Sequence, residues 1–334
     1  MSLGLQVLSD SPFLATLGPG ERSFWRFLAA LFGGILAFVV MAIVAFAGSL
    51  VILVLVFGWP APLSAPSLHE FGSRLSSLAT SSGHGFGNAM QIIALALPSN
   101  LIPMFAFIGV AALAHRRRIR DLATAAPRFR WRMMLAGLVI STIVIGPFLL
   151  AGQMMDPKAG PPPLLAVSPD LGARLVYALT CVVAFTPAAI GEEILFRGWL
   201  LRQTGALIRQ PLLLMAINGV LFSAAHLDFA PDAFLERALM GVGFTYMTLR
   251  LGGVEMSSGV HAANNLMIVL FLEPLTLKLT PNSGVGLGDA IVDLGLLAAY
   301  VAIAELMARW APLRRWARAD PIRPSGGAEA EHFS

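Results

Sequence analysis

The chain reads as an all-α protein, a polytopic membrane helix bundle of about eight transmembrane helices, and three observations predict it. Of its 334 residues 57% are hydrophobic and 13% charged, with a mean hydropathy of +0.75, whereas a soluble domain carries roughly 25% charged residues. Apolar runs recur that are long enough to cross a hydrocarbon core of about 30 Å as helices. The arginines collect between these runs, most densely at Arg116, Arg117, Arg118, Arg120, Arg128, Arg130 and Arg132.

The first run, Phe27 to Gly58, holds no charged residue. As a helix it would reach ~48 Å, which makes it one tilted or projecting span. It is too long for the apolar part of a signal peptide and lacks a cleavage-like end. Pro60 to Gly87 is rich in Pro, Ser and Gly and reads as a loop with a surface helix around Leu68 to Leu78. Leu95 to Ala114 and Met133 to Met155 are the second and third spans, followed by a loop from Pro157 to Pro169. Leu171 to Leu201 is the fourth, with Glu192, Glu193 and Arg197 in its second half. Leu212 to Leu227 is a short fifth ending near His226 and Asp228. Phe234 to Leu251, the sixth, contains Glu236 and Arg237, so a re-entrant or partly solvated segment is the alternative there. Met256 to Leu272, the seventh, contains His261, Asn264 and Asn265, and Ile291 to Trp310 is the eighth. The tail from Arg314 onward is expected to be disordered.

These boundaries divide the chain into an N-terminal segment 1–26, helices one to three with their loops over 27–170, a polar helical core over 171–275, a last span over 276–312 and a tail over 313–334. The positive-inside rule puts the loop 116–132, the link 202–209 and the tail 314–323 in the cytoplasm. The expectation is a multi-pass protein of a bacterial inner membrane with both termini cytoplasmic. A net charge of +4 spread over such loops records topology, and no nucleic-acid partner is expected. Cys181, the single cysteine, has no partner for an internal disulfide and is expected to pack. Glu255, Glu273, Asp289, Asp293 and Glu305 fall near predicted helix ends and read as interfacial.

Ionisable groups inside spans cost about 2.5 kcal/mol or more each, so they face a bundle interior or a wet cavity. Here they concentrate in helices four, five and seven. Glu193 and Arg197 stand four residues apart, on one helix face and within ion-pairing reach, whereas Glu192 is turned ~100° away. Glu193 therefore reads as structural and Glu192 as free. Phe222 and His226 have the same spacing, so the phenyl ring can pack beneath the imidazole. His261 and Asn265 share a face of the seventh helix and can point together at one ligand group.

GEEILFRGWLL with Glu192, Glu193 and Arg197, LFSAAHL with Phe222 and His226, and SGVHAANNL with His261 and Asn265 together resemble the EExxxR, FxxxH and HxxxN motifs of the CPBP family. That family comprises CAAX prenyl endopeptidases and bacterial relatives, some linked to bacteriocin self-protection. The resemblance covers residues 171 to 275. It implies a glutamate protease inside the membrane: Glu192 as general base on water, His226 holding that water, and His261 and Asn265 stabilising the oxyanion. Glu193, Arg197 and Phe222 would support them. It implies no cofactor and no metal, and a membrane protein or peptide as substrate, lipidated in some cases, met at the lipid bilayer.

The residues also allow rival readings. A protein of the same fold could act by binding, as an immunity, scaffolding or regulatory factor, and buried carboxylates also serve proton relays in transporters. A zinc site would need ligands from three helices, since HExxH is absent. No GxSxG is present, and Cys181 lies more than a turn from any charge.

Overall fold

In the computed structural model, which describes residues 10–81, 85–155, 160–277 and 285–319, the helix that holds the charge-free run starts before it, at Phe24, and takes in Arg26. It is the unbroken 34-residue helix α2 (Phe24–Phe57), preceded by the single turn α1 (Pro12–Ala15) and ended by left-handed Gly58. The expected surface helix is α3 (Ala65–Thr80), capped by Ser64 and anchored by Phe71 against Trp59. The second span, α4 (Phe86–Ala114), starts nine residues before Leu95 and packs along α2. Its early start is explained by Gln91, which accepts a hydrogen bond from the Trp59 indole at 3.2 Å and so makes a polar turn tolerable.

After the short α5 (Ile119–Ala123), the third span divides into α6 (Trp131–Val144) and α7 (Gly146–Met155), with Pro147 just past the break. The loop after it contains one turn, α8 (Pro163–Ala166). The fourth span runs as α9 (Leu171–Glu193), a π-helical turn over Ile194–Leu200, and α10 (Leu201–Leu207). Then come α11 (Pro211–Ala224), α12 (Pro231–Leu251) and α13 (Glu255–Met267), the last continued by a second π-helical turn over Ile268–Leu272. α14 (Leu287–Arg309) and the short α15 (Ala311–Ala317) close the described chain. Among the described residues there is no β-strand, only an isolated bridge between Thr124 and Gly253.

Among the described residues five stretches are long and apolar enough to cross a membrane: Phe24–Phe57, Phe86–Ala114, Trp131–Met155, Leu171–Leu207 and Ala290–Arg309. The fifth, sixth and seventh expected spans exist as α11, α12 and α13 but are shorter or more polar. α13 is the most enclosed, buried from Glu255 to Ala263. Small residues let it sit there. A Cβ on Gly137 of α6 would lie 2.6 Å from the Met256 carbonyl of α13, and one on Gly259 would collide with the Met134 carbonyl of α6. Gly219 of α11 approaches α12 in the same way, 2.5 Å from the Ala238 carbonyl for an added Cβ.

Three expectations are corrected. Glu255 is not interfacial: its side chain is fully buried and forked onto Arg130, with Nε to Oε1 at 2.9 Å and Nη2 to Oε2 at 2.8 Å. The turn at left-handed Gly252 brings α13 back against the loop that carries Arg130, so two charges far apart in sequence neutralise each other. Asp293 is likewise buried. The tail does not become irregular at Arg314, because α15 continues to Ala317, and Ala317 and Ala319 are buried in the core cluster that includes Met133 of α6. Residues 320–334, the rest of that tail, lie outside the described residues, as does the Asp289 side chain. Cys181 is fully buried in a packed cluster with Tyr177 and Val269.

The contact between α6 and α13 gives a first prediction. Gly259→Ala should lower stability by about 1–3 kcal/mol through overpacking, seen as a lower melting temperature in detergent. Gly48→Ala, where an added Cβ meets nothing within 4 Å, should leave it unchanged.

Candidate active site

A fully buried carboxylate is unfavourable unless its charge is met by partners. Glu193, with no exposed side-chain surface, has two. Arg197 Nη1 donates to Oε1 at 2.9 Å across one turn of the same helix, and His261 Nδ1 of α13 donates to the same oxygen at 3.0 Å. A carboxylate only accepts, so Nδ1 of His261 carries a proton. Glu193 thus does more than brace its own helix; it orients an imidazole on another.

Arg197 is also fully buried, and its Nε and Nη2 meet no hydrogen-bond acceptor. They lie among aromatic rings instead. The guanidinium carbon sits 4.1 Å from the Phe222 centroid and 5.2 Å from that of Phe244, within range of a cation–π attraction. Phe222 packs edge-on to His226 with centroids 4.8 Å apart and lies 6.0 Å from His261. It therefore supports three polar side chains, Arg197, His226 and His261, from three separate parts of the bundle. His226 stands just past the end of α11, where its Nδ1 donates to the Phe222 carbonyl at 2.8 Å. In the neutral ring that leaves a lone pair on Nε2.

Glu192, one residue from Glu193, points away from the ion pair as the helical rotation requires. It keeps 28% of its side-chain surface exposed, and its Oε2 comes to 3.7 Å from His261 Nε2. That is too long for a direct hydrogen bond and short enough for both groups to reach one reacting group between them. Glu192, His226 and Asn265 line two cavities at once. One, of about 500 Å³, is apolar, walled by α4 and α9 with Phe38 of α2. The other, of about 650 Å³, also takes in His261 and Asn264, and its walls carry Asp232, Glu236, Arg237, Glu273 and Asp293.

All seven residues singled out in the sequence, Glu192, Glu193, Arg197, Phe222, His226, His261 and Asn265, gather at this one place. Sequence reasoning missed Phe244, whose ring lies 5.2 Å from His261; it has no spacing signature and is found only through packing. It also missed the acidic wall of the second cavity. Glu236 and Arg237 were the available signal: α12 is continuous through them, and they are tolerated there because they face that cavity, while Arg237 also pairs with Asp228 at 3.1 Å. Both π-helical turns adjoin the site. One directly follows Glu193 and the other begins three residues after Asn265, in keeping with the frequent occurrence of such turns at functional sites.

Fold and site together define an integral membrane helix bundle that encloses a glutamate, histidine and asparagine cluster. Residues 174–267, which contain all three motifs, match the family model described as type II CAAX prenyl endopeptidase Rce1-like. Over 191 residues the chain is 29% identical to the uncharacterized protein YyaK of Bacillus subtilis (strain 168), an alignment covering 52% of this chain and 60% of that protein. The chain thus spans less than two thirds of that relative's length. No solved structure matches it. The matched family is one of proteases, acting on peptides or proteins at membranes.

Removing Arg197 would leave Glu193 with half its compensation in a closed site. Arg197→Ala should cost on the order of 3–5 kcal/mol and reduce the monodisperse yield on size exclusion. Arg197→Lys should recover part of it, since an ammonium can meet the carboxylate but lacks the planar guanidinium that stacks on Phe222. Full stability in Arg197→Ala with lost activity would move Arg197 from support into catalysis.

Proposed function

We propose that this chain is an intramembrane endopeptidase of glutamate type, hydrolysing a peptide bond in a membrane-associated protein or peptide. The observation that carries the reading is the convergence of Glu192, His226, His261 and Asn265 where an apolar and a polar cavity meet. An amphipathic substrate suits such a junction. The apolar space takes a membrane-embedded side chain or lipid modification, and the polar space takes the solvated backbone beyond it.

Glu192 is the group with a free carboxylate edge, so it takes the proton of a water whose second hydrogen is accepted by Nε2 of His226. The hydroxide adds to the scissile carbonyl carbon. The oxyanion that forms accepts hydrogen bonds from the Asn265 amide and from Nε2 of His261. For that donation His261 acts as the imidazolium, its Nδ1–H given to the Glu193 carboxylate and its Nε2–H to the oxyanion. Two carboxylates, one guanidinium and one imidazolium then sum to zero charge. Collapse of the intermediate breaks the C–N bond, and the departing amine takes the proton that Glu192 had accepted. No step calls on a metal or cofactor.

Cleavage of membrane peptides and of a prenylated CAAX peptide by the purified protein tests this. Glu192→Gln preserves shape and removes the proton acceptor, so turnover should collapse while fold and substrate binding persist. Near-normal biological activity in that variant would replace the protease reading with a binding factor of the same fold. Asn265→Ala should lower kcat by about 10² to 10³ with little change in KM. Asn265→Asp, which sets a like charge against the oxyanion, should be worse than alanine.

A further inference from the structure

We propose that the pocket between the start of α6 and the end of α15 binds the phosphodiester headgroup of an anionic phospholipid. This site is separate from the one above and does not depend on it. The pocket, of about 410 Å³, is lined by Arg128, Phe129, Trp131, Arg132, Ala317 and Arg318, with Arg130 behind them. The Arg130 guanidinium is already engaged by Glu255 and the Leu251 carbonyl. Arg128, Arg132 and Arg318 pair with no carboxylate among the described residues. Three guanidinium groups around one hollow repel each other, and an anion shared between them relieves that repulsion.

The end of α15 sets where Arg318 stands. Arg318 ends α15 in the left-handed conformation, φ 56°, a common way for a helix to stop, with the Ala319 N–H donating to the Arg314 carbonyl at 2.9 Å. Its neighbours Ala317 and Ala319 are both buried against the bundle. The turn between them directs Arg318 outward to the pocket rim, facing the arginines at the start of α6.

Location selects a lipid over a soluble anion. Trp131 opens the span Trp131–Met155, and Arg309 ends the span Ala290–Arg309 two residues before α15. The pocket therefore lies at the boundary of water and hydrocarbon, where phospholipid phosphates sit. Trp131, which lines the pocket, is 64% exposed, and Trp310 and Trp316, on either side of the start of α15, are 55% and 46% exposed, as interfacial indoles are. Phe129 packs at a tilt against Trp131, with ring centroids 4.6 Å apart, giving an apolar wall suited to the glycerol and upper acyl carbons. Basic pockets at such depth between membrane helices bind acidic headgroups.

The test is native mass spectrometry of the full chain released from detergent, challenged with phosphatidylglycerol, with phosphatidylcholine of the same acyl chains, and with glycerol 3-phosphate. Phosphatidylglycerol should be retained at least tenfold over phosphatidylcholine. Each arginine is worth about fivefold in headgroup affinity, so Arg132→Gln should weaken retention by that factor and the triple variant R128Q/R132Q/R318Q should abolish the preference. All three side chains are exposed, so folding is preserved, which an unchanged melting temperature would verify. The variant R116Q/R118Q/R209Q removes equal charge elsewhere and should keep the preference. Equal loss in both triple variants would mean diffuse surface charge and overturn the site. Displacement of the lipid by glycerol 3-phosphate at comparable concentration would overturn its assignment to a lipid.

Discussion

The bundle depends on the way Glu193 is neutralised. An ionised carboxylate cut off from water has to be met by charge and hydrogen bonds, and no partner on α9 alone suffices. Arg197 answers from the same helix and must itself be buried to do so. Its remaining N–H groups face no acceptor, so aromatic faces from α11 and α12 close around it. His261 answers from α13. One carboxyl group thereby fixes four helices relative to each other, and the positions of Phe222 and Phe244 follow from covering the cation it recruits. Replacing one partner leaves a charge without compensation, which is why such clusters tolerate little substitution even though well-packed apolar residues could fill the same volume.

The same cluster separates two kinds of space. Glu192 and Glu193 are adjacent in sequence and about 100° apart around the helix, so one faces the enclosed ion pair and the other the cavities. On the apolar side the walls are α4 and α9, with α2 contributing Phe38. On the polar side they are α12 and α14, with carboxylates that the membrane would otherwise exclude. The site is thus built where the end of the long helix α9 meets α11, α12 and α13.

What was legible in the sequence follows from what has a period. Apolar runs announce spans, and the four-residue spacings of Glu193 with Arg197, Phe222 with His226 and His261 with Asn265 put each pair on one helix face. Those residues do meet. Interactions between helices have no such signature. Nothing in the chain near residue 130 or 255 says that Arg130 and Glu255 will find each other, so each reads alone as a surface charge. The bond from His261 to Glu193 and the stacking of Phe244 were hidden for the same reason. α15 was missed because its proline and arginines resemble a tail, and only the burial of Ala317 and Ala319 distinguishes it.

The helix that carries His261 and Asn265 is held at both ends and along one side. Glu255 and Arg130 fix its first turn, and Gly259 seats it backbone to backbone against α6. His261 is tied to Glu193 in its middle, and the π-helical turn at Ile268–Leu272 ends it. An oxyanion site gains from donors that do not reorganise as charge develops, and precise geometry is best kept by side chains on a rigid element with its own support. Glu255 lies six residues, ~9 Å along the axis, before His261, too far to touch a substrate there. On the proposed mechanism, its pairing with Arg130 contributes by preventing α13 from sliding or rotating, and this is how a buried ion pair remote from the reacting atoms comes to matter for the chemistry.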